Sequence, residues 1–400
     1  MEYKNLEKIY HINEDEFNAL YLQRFNSDSS THLNISLNNQ ECFYILNNEI
    51  INLIGKIYSI DKWCDQIFNP NGLPYSSKDY LISVSLLEEI KSSNKIEGIY
   101  STRKELQELV AIPTPKKYKR FYGMVNKYVK ILNEKFPTIE SSITIRKLYD
   151  EILLQDVIAE DKNDEPDGLI FRKNSVEISS GSKVIHHGIV NEKDIIELME
   201  KALKILNNEK INILIRVAIF HYLFEYIHPF YNGNGRMGRF LVTGYLSKHL
   251  SILSSFQFSI ACLHHSSKYY KAFKMTNDIR NKSDLTPFII HFLEIYLSGL
   301  EELKDYLAST KIIYQNLNSK IKSKIKNKYQ DFLTGLLEAT LFSSSGLTME
   351  ELIKMTNKTE QTLRKHIHEI NQQYAIIKID KKHKPYRYAI DVDAFNHVKN

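Results

Sequence analysis

The feature that most constrains the fold is an apolar helix that runs directly into a glycine-rich turn. Residues 211–227 read INILIRVAIFHYLFEYI and are apolar around most of the helix circumference, which is typical of a buried core helix. Pro229 disfavours helical backbone at His228, so the helix is expected to end there. A second amphipathic helix is expected to begin at about Arg236. A fold of this chain therefore has to bury the first helix and hold the turn at its end.

The turn has the composition of an anion-binding site. Gly233, Asn234 and Gly235 can adopt positive-φ conformations that point successive backbone N–H groups into one concavity. The N-terminus of the next helix adds the positive end of its dipole. Arg236 and Arg239 lie on neighbouring positions of its first turn, where two guanidinium groups can bind phosphate oxygens.

His228 lies on the other side of this turn, where an imidazole can take a hydroxyl proton near neutral pH. Taken without its neighbours, His228 would be interpreted as a histidine at a helix C-terminus, where the helix dipole favours its positive charge. The glycines and arginines that follow favour a base, so the segment predicts a polyphosphate site that faces a base.

Residues 228–239, HPFYNGNGRMGR, resemble the Fic (Fic/Doc) motif, His-x-Phe-x-Asp/Glu-Gly-Asn-Gly-Arg-x-x-Arg, at every fixed position except one. Fic proteins transfer the AMP of ATP to a Ser, Thr or Tyr hydroxyl of a target protein. The resemblance implies that His228 is the catalytic base. It implies that the loop and the following helix bind ATP and its phosphates through Gly233, Asn234, Gly235, Arg236, Met237, Gly238 and Arg239.

The exception is Asn232, which stands where the family has an acidic Mg²⁺ ligand. Mg²⁺ prefers charged oxygen ligands, so an amide at this metal position is expected to weaken the metal's hold. Mg²⁺ is still expected to enter as a complex with the substrate ATP. The expectation is a protein that binds ATP nearly normally and transfers AMP slowly.

A second motif lies on a helix predicted from Ser77 to Gly98. Ser93 and Glu97 are four residues apart and therefore share one helix face, with Gly98 at a suitable C′ position. The residues alone fit a solvated Ser–Glu pair at a helix end. Residues 93–98 are also similar to the inhibitory motif of Fic proteins, Ser/Thr-x-x-x-Glu-Gly/Asn. The resemblance implies that Glu97 forms a salt bridge with Arg239 and blocks the γ-phosphate site.

A β hairpin is predicted before the Fic-like motif, with strands at 169–178 and 183–186 around a Ser/Gly turn at 179–182. Its unpaired edge suits an extended peptide. The resemblance implies a flap, represented by Val176, that docks the target protein main chain to main chain. His186 and His187 are adjacent on a strand and point to opposite faces, which favours a structural role over metal binding.

Tyr269 and Tyr270 follow the motif, and an aromatic face can stack on a purine. The family places a tyrosine of such a pair beside the nucleotide base, and Tyr270 is our candidate. Core packing is an equal alternative for either ring.

Composition predicts a mostly α protein in several parts. With 400 residues, 14 Gly and 9 Pro, the chain is long enough for two or three domains and poor in turn residues. The first segment is expected to be irregular and then helical over about 41–67, with core packing or a homodimer contact as its role. The predicted parts are an N-terminal helical arm carrying the inhibitory helix (1–100), a Fic-type core with its flap (101–305), a basic linker helix (306–330) and a winged helix (331–400).

The winged helix-turn-helix is predicted from three short helices and a basic two-stranded ribbon, whose turn is Lys382 to Pro385. Arg364, Lys365 and His368 on the third helix would face nucleic acid. The same module also serves protein contacts, and both partners stay open.

Net charge, cysteine spacing and the length of apolar runs argue against several other classes of protein. A net charge of +5 is too small to indicate nucleic-acid binding by itself. Cys42, Cys64 and Cys262 are scattered without metal-ligand or CxxC spacing, which favours reduced core thiols in a cytoplasmic protein. The sequence shows neither an export signal nor an apolar run long enough for a membrane span.

These predictions lead to an autoinhibited protein adenylyltransferase that uses Mg·ATP and modifies a target protein or itself. One alternative is the reverse reaction, in which Glu97 positions a water that removes AMP from a target. Another alternative is a weakly active nucleotide-sensing or DNA-binding regulator. Asn232 favours it, because an amide stands where the family has an acidic metal ligand. The sequence does not specify the target, the net direction or the oligomeric state.

Overall fold

The computed structural model describes residues 3–110, 112, 115, 117–180, 183–343, 346–381 and 384–396. The chain divides into two compact units. The larger unit comprises residues 1–62 and 86–301, and the smaller one comprises residues 63–85 and 302–400. Among the described residues, we find no helix with the length and apolar character that crossing a bilayer requires.

Helices dominate both units, as predicted from the composition. Up to the flap they are α1 Leu6–Tyr10, α2 Glu14–Phe25, α3 Asn48–Gln66, α4 Tyr75–Ile96, α5 Arg103–Val110, α6 Tyr122–Asn133, α7 Ser142–Tyr149 and α8 Gln155–Glu160. They continue with α9 Glu192–Leu206, α10 Ile213–Ile227, α11 Asn234–Leu246, α12 Ile252–Ser255, α13 Phe258–His264, α14 Ser266–Thr276 and α15 Thr286–Lys324. The chain ends with α16 Asn327–Phe342, α17 Met349–Thr356, α18 Glu360–Gln373 and α19 Val392–Asn396.

The strands form small antiparallel sheets. They are β1 Ser30–Leu37 with β2 Gln40–Ile45, β3 Glu177–Ser180 with β4 Lys183–His187, and a three-stranded sheet in the order β5-β7-β6 built from Leu347–Thr348, Arg387–Ile390 and Ile377–Asp380. A mostly α protein with a small hairpin before the glycine-rich turn is therefore confirmed.

Helix α10 is the core helix of the larger unit. Its side chains are almost all buried, and it packs between α9 and α11. The Asn212 side chain caps its start by accepting a hydrogen bond from the Leu214 N–H (2.9 Å). The helix ends as predicted, because His228 adopts the left-handed conformation, with φ 52° and ψ 64°. The glycine-rich turn therefore begins at the end of the buried helix α10.

The N-terminal segment corrects one prediction. Residues 30–45 form the β1–β2 hairpin, whereas we expected irregular chain followed by helix from residue 41. Buried and exposed side chains alternate from His32 to Leu37, which is the period of a half-buried strand. Asn38 and Asn39 both have positive φ, 51° and 60°, as a two-residue type I′ hairpin turn requires. Only the later part, α3, is helical.

The flap also differs from its prediction in length. The pairing of β3 with β4 confirms a hairpin, but residues 169–176 are not a strand. The Glu192 carboxylate accepts hydrogen bonds from the N–H groups of Leu169, Ile170 and Phe171. Three consecutive donors that converge on one carboxylate bend the chain away from an extended conformation. Gly181 and Ser182 of the predicted turn lie outside the described residues.

The smaller unit contains α16, α17 and α18 with the three-stranded sheet. Thr348 and Glu351 form the reciprocal capping box expected at the start of α17. The basic run at 320–328 does not form a helix of its own, because α15 continues to Lys324. Lys382 and His383 of the predicted ribbon turn lie outside the described residues. The winged-helix interpretation and the four-part division of the chain stay predictions.

Candidate active site

The turn between α10 and α11 is stabilised by its own side chains. Asn234 Oδ1 accepts a hydrogen bond from Phe230 N (2.9 Å), and Asn234 Nδ2 donates to Phe230 O (2.8 Å). The buried Phe230 ring stacks on Tyr149 at 3.7 Å between centroids. The Tyr149 hydroxyl donates to Asn232 O (3.0 Å). Since the Asn234 side chain is used within the turn, its backbone N–H is the group left for an anion.

The backbone of the turn corrects the predicted conformations. Gly233 has φ 81°, but α11 begins at Asn234, two residues earlier than expected. Gly235 is therefore helical and needs no positive φ. The space around Gly235 explains the glycine instead, because a Cβ there would lie 2.1 Å from Glu97 Oε1.

Arg236 is fully buried in the first turn of α11. None of its three guanidinium nitrogens has a hydrogen-bond partner among the described residues. Among these residues its ion-pair partner is Glu160, with Oε2 at 3.9 Å from Nη2. Unpartnered buried donors are costly to keep, so this guanidinium is suited to bind an anion.

Arg239 is also buried, but its hydrogen bonds are made. Its Nη2 donates to Glu97 Oε1 (2.9 Å) and to Ser93 O (2.8 Å), and its Nε donates to Ser93 Oγ (3.0 Å). Burial opposes the charge of Arg239, but Glu97, Tyr269 and Glu225 together outweigh burial and raise the pKa of Arg239. The predicted contact between Glu97 and Arg239 is therefore present, with Ser93 as a further partner.

His228 lies beside the turn with its ring mostly buried. Burial lowers the pKa of His228 to about 4, so the ring is neutral near pH 7. Nδ1 lies 3.3 Å from Glu225 O, and assigning the Nδ1–H donor to this contact leaves Nε2 as the proton acceptor. Glu225 Oε2 lies 3.9 Å from Nδ1. Burial and the Glu97 charge raise the pKa of Glu225 to about 8, so this carboxyl keeps its proton near pH 7.

Arg172 fixes the backbone around His228. Its fully buried guanidinium donates from Nε to His228 O (2.8 Å), from Nη2 to Ile227 O (3.2 Å) and from Nη1 to Asn174 O (2.5 Å). Burial lowers the pKa of Arg172 to about 10, which leaves it protonated. A cation at the C-terminus of α10 also matches the helix dipole. Arg172 thus connects the base of the flap to the histidine.

Tyr231 adds a second connection between the flap and the turn. Its hydroxyl accepts a hydrogen bond from Asn174 N (3.1 Å) and donates to Asp167 Oδ1 (2.8 Å). Val176 lies next along the flap, and its carbonyl accepts from Gly188 N (3.1 Å). The segment that leads into the flap is therefore held against the turn from two sides.

Both polar atoms of the Asn232 side-chain amide form hydrogen bonds within the protein. Oδ1 accepts from Gly233 N (2.6 Å), and Nδ2 donates to Asp164 Oδ2 (2.9 Å). The described residues contain no group of three or more His, Cys, Asp or Glu side chains that could hold a metal. A single carboxylate beside an engaged amide does not fit a resident Mg²⁺ ion. It is compatible with a metal that arrives on ATP phosphates.

The other predicted residues lie as follows. Met237 is buried in the core, and a Cβ at Gly238 would lie 2.5 Å from Glu225 Oε1. Tyr269 is a core residue whose hydroxyl bonds His221 Nε2 (2.9 Å). Tyr270 is half-exposed, with its hydroxyl 3.3 Å from Ile96 O, so of the two rings Tyr270 is the one open to a ligand.

The two flap histidines are separated as the strand predicts. His186 is turned inward, with Nε2 2.8 Å from Tyr226 O. His187 is exposed, with Nδ1 3.8 Å from Glu177 Oε1. The structure gives them no shared ligand position.

Sequence reasoning missed Tyr149, Asp164, Arg172 and Glu225. Glu225 had a usable signal, because it is the only carboxylate in the apolar run 211–227 and a buried acid needs a reason. Arg172, Asp164 and Tyr149 reach the turn from 56 to 83 positions away, and their local sequence carries no such signal.

The fold and the site together define a mostly helical protein in which a buried, arginine-rich loop lies beside a neutral histidine. Residues 141–246 match the profile of the Fic/DOC family. The chain thus carries a Fic/DOC family domain, a family known for AMPylation and related transfers.

The chain is also similar to several solved structures. A Fic family protein from Desulfovibrio desulfuricans G20 is 18% identical, with a TM-score of 0.50 over 87% of this chain and 97% of that chain. This likeness shows a shared fold. Fic-1 from C. elegans is 14% identical, with a TM-score of 0.44 over 65% of this chain and 73% of that one. A Fic domain containing signaling protein from Bacteroides thetaiotaomicron VPI-5482 is 19% identical, with a TM-score of 0.41 over 66% of this chain and 97% of that one.

Proposed function

We propose that this chain is an autoinhibited protein adenylyltransferase that transfers AMP from ATP to a Ser, Thr or Tyr hydroxyl of a protein. The observation that carries the proposal is the contrast between two buried arginines in one helix turn. Arg236 has no hydrogen-bond partner among the described residues, whereas Arg239 is bonded to Glu97. An unpartnered guanidinium at a helix N-terminus suits a phosphate, and the bonded one suits a phosphate position that an internal carboxylate now fills.

The proposed chemistry needs a base, an anion site and a leaving group. His228 Nε2 takes the proton of the target hydroxyl, while the hydroxyl oxygen forms a bond to the α-phosphorus of ATP. The bond from the α-phosphorus to the bridging oxygen breaks, and pyrophosphate leaves. The Nδ1–H···O contact with Glu225 (3.3 Å) holds the tautomer, and the arginines stabilise the charge on the departing phosphates.

Inhibition follows from the position of Glu97. Its carboxylate binds Arg239 beside Gly235, where the terminal phosphates of ATP would otherwise lie. Removing the carboxylate frees Arg239 for a phosphate. Magnesium arrives as part of the Mg·ATP substrate, because the Asn232 amide already forms hydrogen bonds within the protein.

The test is labelling with α-³²P-ATP. Glu97→Gly should incorporate AMP into itself or an added protein extract well above the wild type. Lys95→Gly, an exposed residue in the last turn of α4, is the matched control for loosening the helix end and should behave like the wild type. Adding His228→Ala to Glu97→Gly should abolish labelling while ATP binding remains.

Two outcomes would overturn the proposal. Equal labelling of Glu97→Gly and wild type would remove autoinhibition, and labelling that survives His228→Ala would remove the base. If purified AMP-modified protein loses its label with the wild type and keeps it with Glu97→Gly, AMP removal is the net activity.

A further inference from the structure

A polar cavity lies at the other end of the two helices that carry the glycine-rich turn. Its volume is about 440 Å³, within the usual range of small-molecule sites. Its walls come from the chain after α6, from the start of α10 and from the end of α11. The residues used below are Lys135, Phe136, Arg216, Tyr245, Lys248 and His249. Helix α11 separates it from the turn by about 20 Å, at 1.5 Å per residue.

The cavity concentrates positive charge. Lys135, Arg216 and Lys248 line it, and Glu209 is the one carboxylate among its lining residues. Burial and the neighbouring cations Lys135 and Arg216 lower the pKa of Lys248, which indicates that these charges repel one another. Such a group of cations is stabilised by an anion placed between them.

Arg216 gives an independent reason for a ligand. It is 5% exposed, and its Nε has no hydrogen-bond partner among the described residues. Nη2 lies 3.4 Å from His249 Nε2, a contact that requires neutral His249. Burial and Arg216 lower the pKa of His249, in agreement with this state. The Nε donor of Arg216 is therefore not compensated by a partner among the described residues.

The walls beside these cations are aromatic. Tyr245 packs edge-on against Phe136, with 5.7 Å between ring centroids, and Lys248 Nζ lies 5.0 Å from the Tyr245 ring centre. The Tyr245 hydroxyl is occupied, because it accepts from Ile139 N and donates to Asn207 Oδ1. The cavity therefore offers charged donors on one side and an apolar ring surface on the other.

We propose that this cavity binds a small phosphorylated molecule, with its phosphate between Arg216, Lys135 and Lys248. A phosphate offers several strong acceptors to a guanidinium and two ammonium groups. The site is separate from the glycine-rich turn, and the proposal does not rest on adenylyl transfer.

The test uses inorganic pyrophosphate as the probe, titrated calorimetrically into the full chain at low salt. Arg236→Met removes the anion receptor of the turn, so the binding that remains reports the cavity. Lys135→Gln with Lys248→Gln in this background should weaken that binding at least about 10-fold, because two charged donors are lost. Lys8→Gln with Lys56→Gln removes the same charge from exposed positions outside the cavity and should change the affinity less than twofold.

Stoichiometry provides a second measurement without Arg236→Met. At a pyrophosphate concentration that fills the wild-type cavity but not a site weakened at least about 10-fold, the wild type should bind one more pyrophosphate than the chain carrying only Lys135→Gln and Lys248→Gln. The proposal is overturned if Arg236→Met binds no pyrophosphate, or if both lysine pairs weaken binding equally. Labelling by Glu97→Gly is unaffected by either result, so failure here is distinct from failure of the proposed transferase.

Discussion

Arg172 and His228 are joined through the main chain, with the Arg172 Nε donating to the His228 carbonyl oxygen over 2.8 Å. The same guanidinium donates to the carbonyl of Ile227. It therefore binds the last peptide groups of α10 at the point where the backbone leaves the helix. The orientation of the proposed base depends on a residue 56 positions earlier in the chain.

The first prediction concerns this positioning residue. Arg172→Met in the Glu97→Gly background should lower kcat for AMP transfer at least about 10-fold, a barrier change of roughly 1.4 kcal/mol, because the histidine loses its backbone support. KM for ATP should stay unchanged. Lys173→Met, an exposed neighbour, is the control. A higher KM with unchanged kcat would place Arg172 in nucleotide binding instead.

The second prediction compares the two buried arginines in the absence of ligand. Arg236→Met should raise the free energy of unfolding by about 1 kcal/mol or more, because it removes a buried charge whose nitrogens have no hydrogen-bond partner among the described residues. Arg239→Met should lower it by a similar amount or more, since Glu97 and Ser93 lose their partner. Urea unfolding measures both, and a loss of stability in both variants would contradict the receptor interpretation.

The third prediction concerns pH. The pKa of Glu225 rises from 4.5 to about 8 in the folded protein, so between these values the folded state keeps a proton that the unfolded state loses. The contribution of Glu225 to the free energy of unfolding therefore falls as pH rises through this window. Glu225→Gln should be more stable than the wild type at pH 8, by on the order of 1 kcal/mol or more, and the difference should shrink towards pH 4.5. A constant difference across this range would refute the assignment.

The fourth prediction concerns Asn232. Asn232→Asp replaces the hydrogen bond to Asp164 with two adjacent carboxylates, which should lower the melting temperature without metal. Mg²⁺ with ATP should restore it, because the cation can bind between the carboxylates and the phosphates. In the Glu97→Gly background, transfer at saturating Mg·ATP should rise about 10-fold. Asn232→Ser is the control that removes the amide without adding charge.

The fifth prediction concerns the smaller unit. Arg364 is exposed on α18 and paired with Glu360. If this unit binds duplex DNA, Arg364→Ala in the full chain should weaken binding and reduce its dependence on salt. Arg103→Ala removes a similar surface arginine, paired with Glu88, and should have no effect. Gel shifts at several salt concentrations distinguish these outcomes, and an absence of salt-sensitive binding to any duplex would favour a protein partner.

Local sequence was sufficient for two features whose deciding interaction is local. The end of α10 at His228 followed from Pro229, and the Thr348 capping box followed from Glu351 three residues later. The prediction of irregular chain followed by helix from about residue 41 was wrong, because residues 30–45 form the β1–β2 hairpin around Asn38 and Asn39.

Other features could not be predicted, because they depend on distant partners. The extended segment expected at 169–176 is bent by Glu192, and the guanidinium of Arg172 finds its acceptors only once α10 has folded. The Glu97–Arg239 contact was anticipated from family resemblance, since 142 residues separate the partners. The guanidinium of Arg236 is buried without a hydrogen-bond partner among the described residues. This can be recognised only in the folded chain.

Gly235 lies where a single methyl group would collide with the Glu97 carboxylate, 2.1 Å away. Under the proposed function, the space left by the missing side chain of Gly235 holds the Glu97 carboxylate in the inhibited state and an ATP phosphate during transfer, never both together. Gly235→Ala is therefore expected to obstruct both occupants at once. The added methyl group would displace the Glu97 carboxylate although residue 97 itself is unchanged. The proposed inhibition therefore depends on two positions, 97 and 235, that are far apart in the sequence.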